Sequence, residues 1–279
     1  QNLMYQNGEL DIIDLEALDS SIVEATYKAQ YADKLVVSSR VGLTYFALNG
    51  NNQYLSDVNV RKALQMAVDA DTGNAMVENG IIPKGVWGFN KDLTRSAYDP
   101  EGAKALLADA GYADGEISFE LSMDSSASSN LQLVYQVVQQ NLQAIGINAG
   151  IKSYDESSWL DLRKSGEMDS FIATWTMDYN DPANIMYTFF GSAAKTRIRS
   201  LNYSDTEVMA RVAAASGITD DAKRMAEYQA LEKKIVVDDA AWVPLLGSTH
   251  LFAIGDRVES FIPYWAGFSN FYVNDVTLK

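Results

Sequence analysis

From residue 117 to residue 175 the apolar positions switch repeatedly between period two and a helical period, and this alternation restricts the fold more than any other feature. Ile117, Phe119, Leu121 and Met123 share one strand face. Leu131, Val134, Tyr135, Val138, Leu142 and Ile145 then line a helix that stops at Gly146. Ile147, Ala149 and Ile151 alternate again, a short helix carries Trp159, Leu160 and Leu162 as far as Gly166, and Phe171 to Trp175 reads as a buried strand. A βαβαβ run of this kind closes only as a sheet covered by helices, an α/β fold.

The flanks extend the pattern. Leu10 to Ile13, Lys34 to Val37 and Val41 to Leu48 read as strands, and Ser20 to Ala29 as a short helix. Asp57 caps a helix whose inner face is Val60, Ala63, Leu64, Ala67 and Val68. Asp99-Pro100 opens another, with the aspartate as cap and the proline in the first turn, where its missing N–H costs nothing. Ser204 to Glu207 reads as a capping box, Asp221 to Val237 as a long helix, and Ala241 to Leu246 as an apolar strand. The tail is rich in aromatic residues: Phe261, Tyr264, Trp265, Phe268, Phe271 and Tyr272.

Composition excludes several functions. Thirty-seven acids against 22 bases leave a formal charge of -15, which repels a nucleic-acid backbone. With no cysteine and one histidine, His250, the chain lacks the ligands of a zinc centre, and no cofactor or metal is expected. His250 follows a polar segment and reads as a surface or local structural residue. No nucleophile elbow or glycine-rich phosphate loop stands in the chain, so an enzyme is not expected; a hydrolase using Asp178 and Asp181 is the remaining catalytic alternative. No apolar run is long enough to span a membrane. The chain opens on Gln1 and runs at once into Leu3, Met4 and Leu10, so it is expected to be a piece of a longer exported protein.

Several segments, in register, carry a resemblance. Asn7-Gly8-Glu9-Leu10-Asp11-Ile12, Tyr45-Phe46-Ala47-Leu48-Asn49 with Asp57 to Leu64, Tyr98-Asp99-Pro100 through Leu106 to Tyr112, Trp175 to Pro182, and Trp242-Val243-Pro244-Leu245 resemble the extracellular solute-binding proteins of bacterial oligopeptide and dipeptide ABC transporters, family 5. The resemblance implies a two-lobed periplasmic-binding-protein-like (type II) fold, here an incomplete fragment with most of the second lobe and part of the first. Residues 1–40 would belong to lobe I, 41–246 to lobe II, and 247–279 would return to lobe I, with closure bending near 40 and 246. It implies an extracytoplasmic place, periplasmic or as a cell-surface lipoprotein, and partners in a membrane permease and ATPase. Nothing calls for a second copy of the chain, and a monomer is expected. The expected ligand is an oligopeptide. A non-peptide amine, nickel, haem or a sugar on the same fold, or a sensing receptor, are the alternatives.

By resemblance, Asp178 stands where the family places the carboxylate that holds a peptide's α-ammonium group. It also follows a buried strand, at the carboxyl end where ligands of α/β sheets collect. A cap for the turn into Pro182 is its other reading. Trp175 and Tyr179 flank it, Trp175 as a pocket wall or a core residue, while Asn180 and Asp181 read as turn residues. Trp159 and Phe268 match cleft positions, or pack in the core. Two departures stand out. Dipeptide-binding relatives carry an arginine where this chain has Ser125 to Ser129, and some oligopeptide relatives carry one where it has Phe171-Ile172-Ala173. No basic residue is therefore expected to await a short peptide's carboxylate. Arg197 and Arg199 lie in a polar loop and are expected on the surface, with an approach to the cleft as their other reading.

Overall fold

The computed structural model describes residues 1–16, 18–69, 77–264 and 271–279. The chain forms two compact units. The first comprises Gln1–Gly42, Thr176–Tyr179 and Ser248–Lys279; the second comprises Leu43–Trp175 and Asn180–Gly247. The sequence reading places joins near 40 and 246 but none around Thr176–Tyr179.

The first unit pairs β1 (Ile12–Asp14) antiparallel to the end of a long strand, with Ile13 opposite Ala253. Its core is Tyr5, Ile13, Leu15, Val23, Tyr27 and Ala253. The rings of Tyr5 and Tyr27 lie 5.7 Å apart, and the Tyr5 hydroxyl donates to Ile254 O at 2.9 Å. The expected helix at 20–29 exists, but it widens into a π-helix over Val23–Lys28.

The second unit is built on the parallel sheet that the alternation requires. After β2 (Leu35–Leu48) come β3 (Ser118–Asp124), β4 (Asn148–Tyr154) and β5 (Ser170–Thr176), and β3 lies parallel to both β4 and β5. With β6 (Trp242–Ile254) the order is β6-β2-β5-β3-β4. The helix Ser129–Ala144 seats Tyr135, Val138 and Leu142 on this sheet. Ile172 N donates to the buried Tyr135 hydroxyl at 2.9 Å, tying helix to strand. Helices Val58–Ala67 and Pro100–Asp109 pack on one another, begun by Asp57, which accepts from Asn59 N, and by Asp99, which accepts from Gly102 N.

Three local expectations change. The strands suggested at 34–37 and 41–48 are one strand of 14 residues. The strand expected to end at Leu246 continues to Ile254. In the capping box, Asp205 rather than Ser204 accepts from Val208 N. Both β2 and β6 run unbroken from one unit into the other.

Candidate functional site

One set of aromatic residues in the second unit gathers around Tyr45, which is 1 % exposed. Phe171 and Phe189 meet its ring edge-on, at 6.0 and 5.4 Å, and Trp242 lies tilted against it at 4.2 Å. Burial pushes the Tyr45 phenol up to about 12, although Arg163 and Arg199 act the other way.

Two of the expected site residues belong to this set. Trp159 lies on the helix Glu156–Ser165, which Asp155 caps by accepting from Ser158 N and which Gly166 ends in the left-handed region at φ 85°. Its indole is buried, sits edge-on to Phe171 at 5.4 Å and donates to Ser122 O at 3.2 Å. Trp175, near the end of β5, is half-buried. Its indole N–H donates to Asn184 Oδ1 at 2.8 Å, and its ring meets Phe189 edge-on at 5.2 Å. Each tryptophan carries a guanidinium on its face, Arg163 at 5.0 Å from Trp159 and Arg199 at 5.1 Å from Trp175.

Arg199 is thus not the surface residue the polar loop suggests. It is half-buried, and burial holds its guanidinium below the ordinary arginine value. Arg197 is exposed, as expected, and donates to Ser165 O at 2.9 Å. Arg163 passes unnoticed in the sequence, yet its position one helical turn after Trp159 is a signal that could have found it.

Asp178 and Tyr179 fall in the first unit, on the segment Thr176–Tyr179. Met177 N donates to Val41 O at 2.9 Å and the Met177 side chain is buried, while Asp178 and Tyr179 are exposed. The turn into Pro182 is held by the next two residues. Asn180 Oδ1 accepts from Trp87 N at 2.6 Å, and Asp181 accepts from Ala183 N and pairs with Arg224 at 2.5 Å. The structure therefore gathers Trp159 and Trp175 in one ring set, and places Asp178 and Tyr179 in the other unit. Phe268, with Trp265, lies outside the described residues.

His250 differs from its expected surface position: it is 1 % exposed, 5.4 Å from the Phe252 ring, with Nδ1 3.2 Å from Glu16 Oε1. Among the described residues no three His, Cys, Asp or Glu side chains gather as a metal site would need, and no helix is long and apolar enough to cross a membrane.

Residues 1–197 match the family described as bacterial extracellular solute-binding proteins, family 5 Middle. The chain is similar to Heme-binding protein A of Haemophilus influenzae, with 27% identity over 86% of this chain and 45% of that protein. It is similar to the Dipeptide-binding protein of Escherichia coli, with 28% identity over 85% of this chain and 46% of that protein. Among solved structures, HbpA2 from Haemophilus parasuis superposes with a TM-score of 0.83 and 25% identity, over all of this chain and 56% of that one. The chain spans about half the length of the curated relatives it matches. Its backbone follows the type II periplasmic-binding-protein-like fold. The family match over residues 1–197, the parallel sheet with its two long strands and the superposition agree, and the chain belongs to the bacterial extracellular solute-binding proteins, family 5.

Proposed function

We propose that the chain is part of the extracytoplasmic solute-binding component of an ABC importer, capturing oligopeptides and delivering them to a membrane permease driven by an ATPase. The family match over residues 1–197 carries this reading. The first unit would supply part of lobe I and the second most of lobe II. Relatives named for dipeptides and tripeptides favour a peptide ligand. The exposed Asp178–Tyr179 pair, directly after the buried Met177, suits a role in which the carboxylate meets an α-ammonium group. The protein binds and releases its ligand unchanged; catalysis is no part of the role.

A second reading has its own support. A relative named for haem is among the matches, and the guanidiniums on Trp159 and Trp175 would suit an acidic non-peptide ligand. Native mass spectrometry of the intact protein, followed by denaturing release, separates the two. A mixture of short peptides is expected. One discrete non-peptide molecule would replace the peptide reading with the second.

Asp178→Asn tests the anchor. It is expected to weaken a free-amino peptide by about 2 kcal/mol or more, because an ammonium group loses its charged partner. An N-acetylated peptide should bind poorly to both proteins and respond little to the change. Isothermal titration of the four combinations measures this, and equal affinity in all four would remove Asp178 from the site.

A further inference from the structure

Three Asn-Gly steps stand in the chain, at 7–8, 49–50 and 79–80. Such a step is chemically labile. Glycine has no Cβ to shield its nitrogen, so its amide, once deprotonated, can attack the carboxamide carbon of the asparagine before it. The attack needs an N–H that is not locked in a hydrogen bond. It also needs a side chain able to turn back onto its own backbone.

The fold treats the three steps differently. Asn7 is exposed, but it ends the helix Asn2–Gln6, and Gly8 N donates to Tyr5 O at 3.0 Å. At Asn49 both halves are closed. Its side chain is 4 % exposed; Nδ2 donates to Met168 O at 2.6 Å and to Gly166 O at 3.1 Å, and Oδ1 accepts from Asn202 Nδ2 at 2.8 Å. Gly50 N donates to Leu201 O at 2.7 Å. At the third step neither restraint is present. Asn79 is exposed, and among the described residues neither its side chain nor Gly80 N–H has a hydrogen-bond partner.

The backbone on both sides of this step is nevertheless pinned. Val77 bridges to Leu246, and Glu78 N donates to Leu245 O at 3.1 Å, both on β6. Beyond the step, Ile82 N donates to Glu232 Oε1 at 2.7 Å. Gly80 lies between these anchors with its Cα packed against the Glu232 carboxyl.

We propose that Asn79-Gly80 is a site of spontaneous deamidation in the folded protein, and that its isoaspartyl product loosens residues 77–82 from β6. Gly80 N gives up its proton to solvent and bonds to Asn79 Cγ. The bond from Cγ to Nδ2 breaks, and the nitrogen leaves as ammonia, taking a proton from water. The cyclic imide that results is opened by water at either carbonyl. Cleavage at the side-chain carbonyl gives aspartate, and cleavage at the main-chain carbonyl gives isoaspartate. No group is oxidised or reduced, and water is the only co-reactant. Isoaspartate inserts an extra methylene into the backbone between two fixed anchors, which cannot then both keep their bonds. The site is independent of the solute that the protein carries.

The test has two arms, both on the intact protein. In the first, the protein is held in mildly alkaline heavy-oxygen water, folded or in urea, and peptides carrying Asn7, Asn49 and Asn79 are followed by mass spectrometry. Each rate in the folded protein is divided by the rate of the same step in urea. The ratio for Asn79 is expected to exceed the other two by about tenfold or more. Equal ratios, a larger ratio at Asn7 or Asn49, or no label at Asn79 in the folded protein would overturn the site.

The second arm compares melting temperatures of fresh protein, aged protein, fresh Asn79→Asp and aged Asn79→Gln. Asn79→Asp supplies the new charge without the longer backbone, and Asn79→Gln closes the imide ring far more slowly. Aged protein is expected to melt below both fresh proteins, and aged Asn79→Gln to melt with the fresh parent. Aged protein that melts no lower than fresh Asn79→Asp would overturn the loosening of residues 77–82. An equal fall in aged Asn79→Gln would place the damage elsewhere and overturn it as well.

Discussion

Replacing Trp242 by alanine is expected to lower the unfolding free energy by about 3–5 kcal/mol, the loss typical of a fully buried large aromatic. Trp242 has no exposure, and its ring lies 4.2 Å from Tyr45, 4.8 Å from Phe189 and 5.6 Å from Phe190. Those residues come from β2, from the helix Ala183–Phe190 and from β6 itself, so the indole is where distant parts of the second unit meet. Rings held by separate elements close only partly on the void, so the cavity term stays large. A loss of this size consumes a large share of the 5–15 kcal/mol that holds an ordinary domain folded. Urea unfolding read by far-ultraviolet circular dichroism would show the midpoint fall with little change in slope. A loss below about 1 kcal/mol would mean the rings repack without the indole.

Stability is also expected to fall as pH rises from about 5 to about 8, and Glu232→Gln to remove most of that slope. Glu232, on the helix Asp221–Lys233, is 1 % exposed; one carboxyl oxygen accepts from Ile82 N at 2.7 Å and the other has no partner. Glu78, 3 % exposed, accepts only weakly from Lys84 N at 3.3 Å. Burial pushes Glu78 up to about 7 and Glu232 up to about 8, the latter with help from Glu78 itself. In the unfolded chain both groups titrate near 4.5. The native state therefore keeps protons that the unfolded chain has released, and the stabilisation is complete below 4.5 and lost as pH climbs through 7 to 8. Glutamine keeps the shape and cannot ionise. The variant should match the parent near pH 4 and exceed it at pH 8 by on the order of a few kcal/mol. Melting temperatures across that range decide the matter; a parent profile that rises from pH 5 to 8, or an unchanged slope in the variant, would contradict the buried-carboxyl account. Gly80 is part of the same arrangement, since a Cβ there would run into the Glu232 carboxyl.

Helices were legible in the sequence where a side-chain cap and a periodic face coincide. Asp57 and Asp99 begin the helices they mark, because the cap bond and the first turn are local. At Ser204 the same logic slipped by one residue, since Asp205 offers a better acceptor within the same motif. The unbroken strand β2 was hidden because Ser38-Ser39-Arg40 interrupts the apolar pattern, whereas ladder bonds do not depend on side-chain polarity. His250 was misplaced for a related reason: a polar stretch reads as surface, yet on β6 it lies beside Phe252, two residues on, and the fold brings Glu16 to it. The candidate site divides in the same way. Trp159 and Trp175 stood out through a motif, whereas the contact of Arg199 with Trp175 did not, because the helix Ala183–Phe190 separates them in the chain and no local period connects them.

The two long strands have a practical consequence for cutting the chain. At residues 42–43 and 247–248 the join is strand backbone rather than a linker. A protease needs an extended, unpaired stretch in its cleft. Limited digestion should therefore nick surface loops inside each unit, such as the one between the helices ending at Ala215 and beginning at Asp221, and leave the fragments held together. Neither unit can be cut free as a separate piece without breaking a strand that both of them use.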